Sequence, residues 1–162
     1  KTEDRTSTGE ESGRGVQGFI RLAHHRLHGL TQIIKMNLME DINQLTYQII
    51  GCAYEVHHIL GPGLLESTYE TCLCYELEKA GIKYEKQKEL IINYKGVRLD
   101  NGYRIDILVE NNIVIELKSV EALLPVHTAQ IMTYIKLSKK RIGLLINFNV
   151  TNLQNGIHRY II

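Results

Sequence analysis

The stretch Tyr103-Arg104-Ile105-Asp106-Ile107-Leu108-Val109, Glu110-Asn111-Asn112, Ile113-Val114-Ile115-Glu116-Leu117-Lys118 decides the fold, because it reads as two strands joined by a short turn. Side chains alternate with period two along a strand, so Ile105, Ile107 and Val109 share one face while Arg104, Asp106 and Leu108 share the other. The second strand divides in the same way, with Ile113, Ile115 and Leu117 set against Val114, Glu116 and Lys118. A three-residue loop, Glu110-Asn111-Asn112, pairs Val109 with Ile113, Ile107 with Ile115 and Ile105 with Leu117, and buries all three pairs together. A two-residue Asn-Asn turn would set Asp106 against Leu117 and mix charge with core on both faces. The apolar pattern therefore selects the odd loop, with Asn112 expected in the left-handed conformation. In that register Asp106 lies opposite Glu116.

Directly opposed Cβ atoms stand roughly 4.5–5.5 Å apart, and two bare carboxylates at that spacing repel. A cation between them resolves the conflict. A hard divalent ion such as Mg²⁺ is satisfied by one or two carboxylates with water and phosphate oxygens, and Lys118 would point toward whatever the metal binds. The alternative is that Arg104 and Lys118 neutralise the two acids as cross-strand salt bridges on a solvated face.

Composition bounds the remaining classes. A chain of 162 residues with 44% hydrophobic content suits one soluble domain with a sizeable core. No apolar run approaches the roughly 18 residues of a membrane span, and no signal-peptide core is evident, so a cytoplasmic location is expected. Cys52, Cys72 and Cys74 form no CxxC spacing and read as small core residues. A formal net charge of +1 argues against gripping nucleic acid through bulk charge, so any phosphate binding is local.

The domain organisation follows from a change in pattern near residue 40. Residues 1–39 read as a flexible or non-native N-terminal extension. Lys1–Gly18 is too poor in apolar residues to repay ordering, Phe19–Ile34 suggests a short helix, and Met36 or Met39 suggests a native start. His24, His25 and His28 lack Cys or carboxylate neighbours and read as a solvated helix face. Residues 40–162 form the patterned domain.

From Asp41, the spacing of Ile42, Leu45, Ile49, Ala53, Val56 and Leu60 predicts a helix that ends at Gly61-Pro62-Gly63. A second helix begins near Glu66, carries Tyr69, Leu73 and Leu77 on one side and stops at Gly81. Tyr84–Tyr94 reads as a strand with Lys95-Gly96 as its turn, the hairpin follows, Pro125 opens a third helix, and Ile142–Phe148 and Gly156–Ile162 supply two more strands. The order is α-α-β-β-β-α-β-β, an α/β (α+β) fold with a mixed central sheet flanked by helices. On the third helix, His127, Gln130 and Tyr134 make a polar stripe that a solvated face would also explain.

Taken together, Gly63-x-x-Glu66-x-x-Tyr69, Asp106, Glu116-x-Lys118 and Gln130-x-x-x-Tyr134 resemble the GxxExxY protein family, a branch of the PD-(D/E)xK nuclease-like superfamily. The likeness covers about residues 42–162 and includes Leu60–Glu66, Leu123–His127 and Gly143–Phe148. It implies a restriction-endonuclease-like αβββαβ core and a metal-dependent nuclease that hydrolyses nucleic-acid phosphodiester bonds. It further implies that Asp106, Glu116, Glu66 and the Leu117 carbonyl hold Mg²⁺ or Mn²⁺, and that Lys118 is the catalytic lysine. Gln130 resembles a residue that orients the site, and Tyr134 and His127 resemble substrate contacts. The implied partner is nucleic acid, DNA ahead of RNA, with a homo-oligomer or a protein partner as further options.

Two positions depart from the family pattern: Ile105 replaces proline before Asp106, and Asn149 stands where glycine is expected, with a left-handed backbone in reach of Asn. Two alternatives stay open. One is a non-cleaving nucleic-acid- or protein-binding module on the same fold, and the other is a subunit active only with a partner.

Overall fold

The computed structural model describes residues 10–100 and 102–162, with the side chains of Leu27 and of residues 30–100 and 102–162. The chain divides into two units, Lys1–Gln44 and Leu45–Ile162. Where the sequence suggests two separate helices, a single helix α1 spans Glu10–Leu60. No proline falls within residues 10–60, and the scattered glycines lower helix propensity without stopping it. Of the loosely held stretch expected over Lys1–Gly18, residues 1–9 lie outside the described residues, and the backbone is helical from Glu10. His24, His25 and His28 belong to α1, but their side chains are outside the described residues.

Within the unit Leu45–Ile162, α1 buries Thr46, Ile49, Ala53 and Val56. It closes where Gly61, at φ +64°, donates its N–H to the His57 carbonyl at 2.8 Å. Helix α2 (Glu66–Lys79) buries Tyr69, Leu73, Cys74 and Leu77, as its spacing predicts. Gly81, at φ +71°, then turns the chain so that Ile82 N–H reaches the Leu77 carbonyl.

Seven strands follow among the described residues: β1 (Tyr84–Glu89), β2 (Ile92–Tyr94), β3 (Val97–Leu99), β4 (Arg104–Val109), β5 (Ile113–Lys118), β6 (Ile142–Asn147) and β7 (Ile157–Ile161). Five of them form one mixed sheet in the order β1-β4-β5-β6-β7, in which only β5 and β6 run parallel. Helix α3 (Pro125–Leu137) supplies the crossover that this parallel pair requires. The element order α2-β1-β4-β5-α3-β6 gives a restriction-endonuclease-like αβββαβ arrangement, to which β7 adds an edge. No helix among the described residues is long and apolar enough to cross a membrane.

The single strand expected over Tyr84–Tyr94 is broken. The main chain leaves the sheet at Leu90, whose N–H donates to the Tyr103 carbonyl at 2.8 Å, and β2 and β3 form a separate two-stranded ribbon. The turn falls at Lys95-Gly96 as expected, but three-residue strands are too short to display a period-two pattern, so the sequence does not mark β3.

The central hairpin keeps the expected register, with Ile107 opposite Ile115, Leu108 opposite Val114 and Val109 opposite Ile113. Its turn differs in one detail. The left-handed residues are Glu110 (φ +48°) and Asn111 (φ +51°), not Asn112, whose N–H instead closes the turn on the Val109 carbonyl at 2.9 Å. Both sheet faces are buried at β5. On the face that carries Leu108, Val114 and Leu145, the helix α3 packs Ile131, Tyr134 and Ile135. A Cβ on Gly143 would stand 2.6 Å from the Ile135 Cδ1, so glycine lets α3 lie close to β6.

Candidate active site

Beyond the Ile107–Ile115 pair the β4–β5 ladder stops, although the strands continue. There Asp106 Oδ2 accepts the Leu117 N–H at 2.8 Å, so a side-chain bond stands where a main-chain pair would. Period two keeps Asp106 and Glu116 on the Leu108–Val114 face. Glu116 is 1% exposed, and its Oε1 accepts from Lys118 Nζ at 2.6 Å. Its Oε2 is buried without a hydrogen-bond partner.

Electrostatics follow from this enclosure. Burial, reinforced by the charge of Asp106, pushes the Glu116 carboxyl up to about 7 against the pull of Lys118. Asp106 is also raised by burial, with the Leu117 N–H and Lys118 opposing and Glu70 assisting. For Lys118, burial acts downward, but the hydrogen bond to Glu116 and the surrounding carboxylates outweigh it, and the ammonium is held above its ordinary value. The solvated-face alternative does not survive. Arg104 lies 3.7 Å from Glu89, and Lys118 bonds within its own strand to a buried acid.

The Gly63-x-x-Glu66-x-x-Tyr69 segment has a physical rationale. Gly63 sits at φ +98°, in a loop that the Tyr69 hydroxyl staples by donating to the Gly61 carbonyl at 2.6 Å and accepting the Leu64 N–H at 3.1 Å. Ser119 Oγ donates to the Leu64 carbonyl at 2.6 Å, which ties the loop to the end of β5, and the Tyr69 ring stacks on Phe148 at 4.5 Å. Glu66, the first residue of α2, therefore starts its helix beside Lys118 and Asp106. Its carboxyl is raised by burial and by Asp106 and Glu70, while Lys118 and the Ser119 backbone act the other way.

Helix α3 brings Gln130 and Tyr134 to the same region. Gln130 Nε2 donates to the Tyr134 hydroxyl at 3.2 Å. The phenol is raised by burial and by the charges of Glu116 and Asp106, while Gln130 opposes. His127 has a structural task at the start of the helix: its Nδ1 accepts the Leu124 N–H at 3.1 Å. Asn149 does not adopt the left-handed backbone expected of it. Its N–H donates to the Asn147 side chain at 3.2 Å, and the same Asn147 side chain also braces Val120 through both of that residue's main-chain groups.

Gln87 was missed by sequence reasoning. It stands opposite Asp106 in the β1–β4 register, at the one position where the run of pairs is interrupted, with φ +52°. A left-handed residue other than glycine inside a strand costs on the order of 1–3 kcal/mol. The Nε2 of Gln87 reaches Asp106 Oδ1 at 3.5 Å and bonds Glu70 Oε2. Glu70, 7% exposed, is in turn 2.9 Å from Lys86. The only sequence signal is the spacing of four between Glu66 and Glu70, which puts both acids on one side of α2.

Glu66, Asp106, Glu116 and Lys118 thus lie within one electrostatic neighbourhood, yet no group of three His, Cys, Asp or Glu side chains among the described residues is arranged to hold a metal ion. No curated protein and no solved structure matches the chain. The family model of the PD-(D/E)XK nuclease superfamily matches residues 43–160, and the chain belongs to that superfamily.

Proposed function

We propose that this member of the PD-(D/E)XK nuclease superfamily is a metal-dependent nuclease that hydrolyses phosphodiester bonds in nucleic acid, DNA ahead of RNA. The observation that carries the reading is Glu116 Oε2, a buried carboxylate oxygen without a partner. Leaving such an acceptor unsatisfied costs about 1–3 kcal/mol, more if it is charged, and a bound cation would remove that cost. The neighbouring donors are hard oxygens, from Asp106, Glu66 and the Leu117 carbonyl, which suit Mg²⁺ or Mn²⁺ with water and substrate completing the shell. When bound, such an ion would polarise the phosphate and lower the pKa of coordinated water.

The side chains divide the remaining work. Lys118 offsets negative charge that builds on the phosphate, and Asp106, braced by Leu117 N–H and Gln87, holds its oxygens in one orientation. Gln130 and Tyr134 act as a hydrogen-bonded pair that orients the site and contacts substrate. His127 is a further substrate contact from the first turn of α3. Within the superfamily we assign the chain to the GxxExxY family, on Gly63, Glu66 and Tyr69 and the stapled loop they build. Three free cysteines fit a reducing, cytoplasmic setting. Residues 40–162 are proposed to suffice for the activity, with residues 1–39 as a dispensable extension and a second copy or a protein partner as an added component.

A second reading is a nuclease-like module that binds without cutting. The lack of a ready three-ligand group among the described residues favours it. Incubation of labelled single- and double-stranded DNA and RNA with Mg²⁺ or Mn²⁺ separates the two. We expect cleavage by the native chain and its loss, by about 10²–10³-fold, in Lys118→Ala and in Asp106→Ala. A folded native chain that cuts none of these substrates would overturn the nuclease reading.

A further inference from the structure

We propose that the β2–β3 ribbon is a nucleic-acid arm, which stacks Tyr94 on an unpaired base and holds the flanking phosphates with Lys95 and Arg98. This extends the nuclease reading, on which it rests, from the reacting phosphate to the grip on the strand around it.

The arm is the segment between β1 and β4, and its placement follows from the sheet. Glu89 pairs with Arg104, and the Leu90 N–H bonds the Tyr103 carbonyl, so the root of the arm lies three residues from Asp106 along β4. At about 3.3 Å per residue that is roughly 10 Å from the candidate site. Since β4 and β5 are antiparallel, the root is also at the end of the sheet where Glu116 and Lys118 lie. Buried Leu90 anchors the root in the cluster that contains Ile105 and Tyr134.

The arm itself is built tightly. Lys95 and Gly96, at φ +50° and +85°, form a two-residue turn of the type that matches strand twist, and Asn93 Oδ1 accepts the Gly96 N–H at 3.0 Å. Pairing sets Ile92 opposite Leu99 and Tyr94 opposite Val97 on one face, with Asn93 and Arg98 on the other. The first pair is half-buried at the root, but Tyr94 and Val97 are 61% and 58% exposed at the tip. The tip of the turn thus presents an aromatic ring beside an aliphatic side chain, a surface on which a nucleobase can stack.

The charge indicates which partner fits. Lys95 and Arg98 are exposed and take part in no ion pair among the described residues, unlike Lys86, Lys88 and Arg104 in the adjoining strands. Lys95 Nζ stands 5.6 Å from the centroid of the Tyr94 ring, so a cation and an aromatic plane share the tip. Two uncompensated cations beside an exposed ring are complementary to a phosphate backbone with accessible bases. With a formal net charge of only +1, the chain must obtain its grip on phosphates from such local groups. Stacking requires a base outside a duplex, so single-stranded or frayed ends are the favoured substrate.

The test is fluorescence anisotropy with the full chain, a labelled single-stranded oligonucleotide and a blunt duplex of the same sequence, in chelator so that nothing is cut. Tyr94→Ala should weaken single-strand binding about tenfold and duplex binding less, with Tyr94→Phe restoring affinity. The double variant Lys95→Glu/Arg98→Glu should weaken both and reduce the salt dependence of single-strand binding by a log–log slope of about 1.4. Native affinity in Tyr94→Ala and in the double variant, with melting curves unchanged, would overturn the arm, as would a native chain that binds neither oligonucleotide. Cleavage of labelled single- and double-stranded DNA and RNA by the native chain with Mg²⁺ or Mn²⁺ reports on the nuclease reading separately. Hydrolysis without arm-dependent binding sinks the arm alone, and arm-dependent binding without hydrolysis sinks the nuclease reading alone.

Discussion

The β4–β5 hairpin has two ends built from the same alternating sequence, and they do opposite things. At the turn end, Ile107–Ile115 and Val109–Ile113 close main-chain pairs over a fully buried core. At the open end the pairs stop, Asp106 takes the Leu117 N–H with its side chain, and Glu116 is buried with one oxygen unpartnered. One end is satisfied and stabilises the fold; the other is left incomplete, which is the condition a ligand can exploit. Period-two alternation supplies both, since it sends every second residue to the same side whether that side is core or site.

Damage at the turn end should appear as lost stability, whatever the chemistry does. Ile115→Ala removes a fully buried side chain from the middle of the ladder and should cost about 2–5 kcal/mol in denaturant unfolding. A cost below about 1 kcal/mol would mean that the hairpin is not the packed centre of the sheet.

At the open end the expected signature is a pH dependence. Glu116 has its folded pKa raised to about 7 from 4.5, so the folded state holds the proton more tightly than the unfolded state between those values. The stability contributed by that proton is complete below pH 4.5 and is lost as pH rises to about 7, a change of about 3 kcal/mol for a shift of this size. Thermal melts of the metal-free chain between pH 5 and pH 8 should follow that slope, and Glu116→Gln, which carries no titrating proton, should flatten it. Addition of Mn²⁺ at pH 7 should raise the native melting temperature and leave that of Glu116→Gln nearer its metal-free value. Identical pH profiles for the two proteins would show that the enclosure of Glu116 does not shape the energetics of this end.

The same contrast explains what the sequence disclosed. Register was legible because one slipped residue would have carried Asp106 into the core, whereas Glu66 enters the candidate site only through the family resemblance that Gly63-x-x-Glu66-x-x-Tyr69 carries. Gln87 left no such trace. Its place beside Asp106 depends on a left-handed backbone in the adjoining strand β1, which neither composition nor periodicity encodes. Of the β2–β3 arm only the Lys95-Gly96 turn is legible, since three residues per strand give alternation nothing to repeat. The sequence suggests two pieces of helix α1 because Met36 or Met39 reads as a native start between Phe19–Ile34 and the stripe from Asp41, although no proline there forbids the helical backbone. His127 was read as a substrate contact, and the geometry adds a helix-start bond that spacing alone does not reveal.

The turn offers the smallest test. Glu110 and Asn111 both occupy left-handed conformations, which an L side chain adopts at a cost of about 1–2 kcal/mol, smaller for asparagine but absent only for glycine. Glu110 is held there by Lys83, whose carbonyl accepts the Glu110 N–H and whose own N–H donates to Glu110 Oε1, both at 2.9 Å. Asn111 contributes one exposed contact, accepting from Lys140 at 2.8 Å. Asn111→Gly should therefore relieve more strain than it forfeits and raise stability by about 0.5 kcal/mol, with cleavage unaltered because the open end is untouched. A destabilised Asn111→Gly would show that the Lys140 contact outweighs the backbone. Altered cleavage would be the sharper result, because it would couple the two ends through β4 and β5 and end their treatment as separate regions.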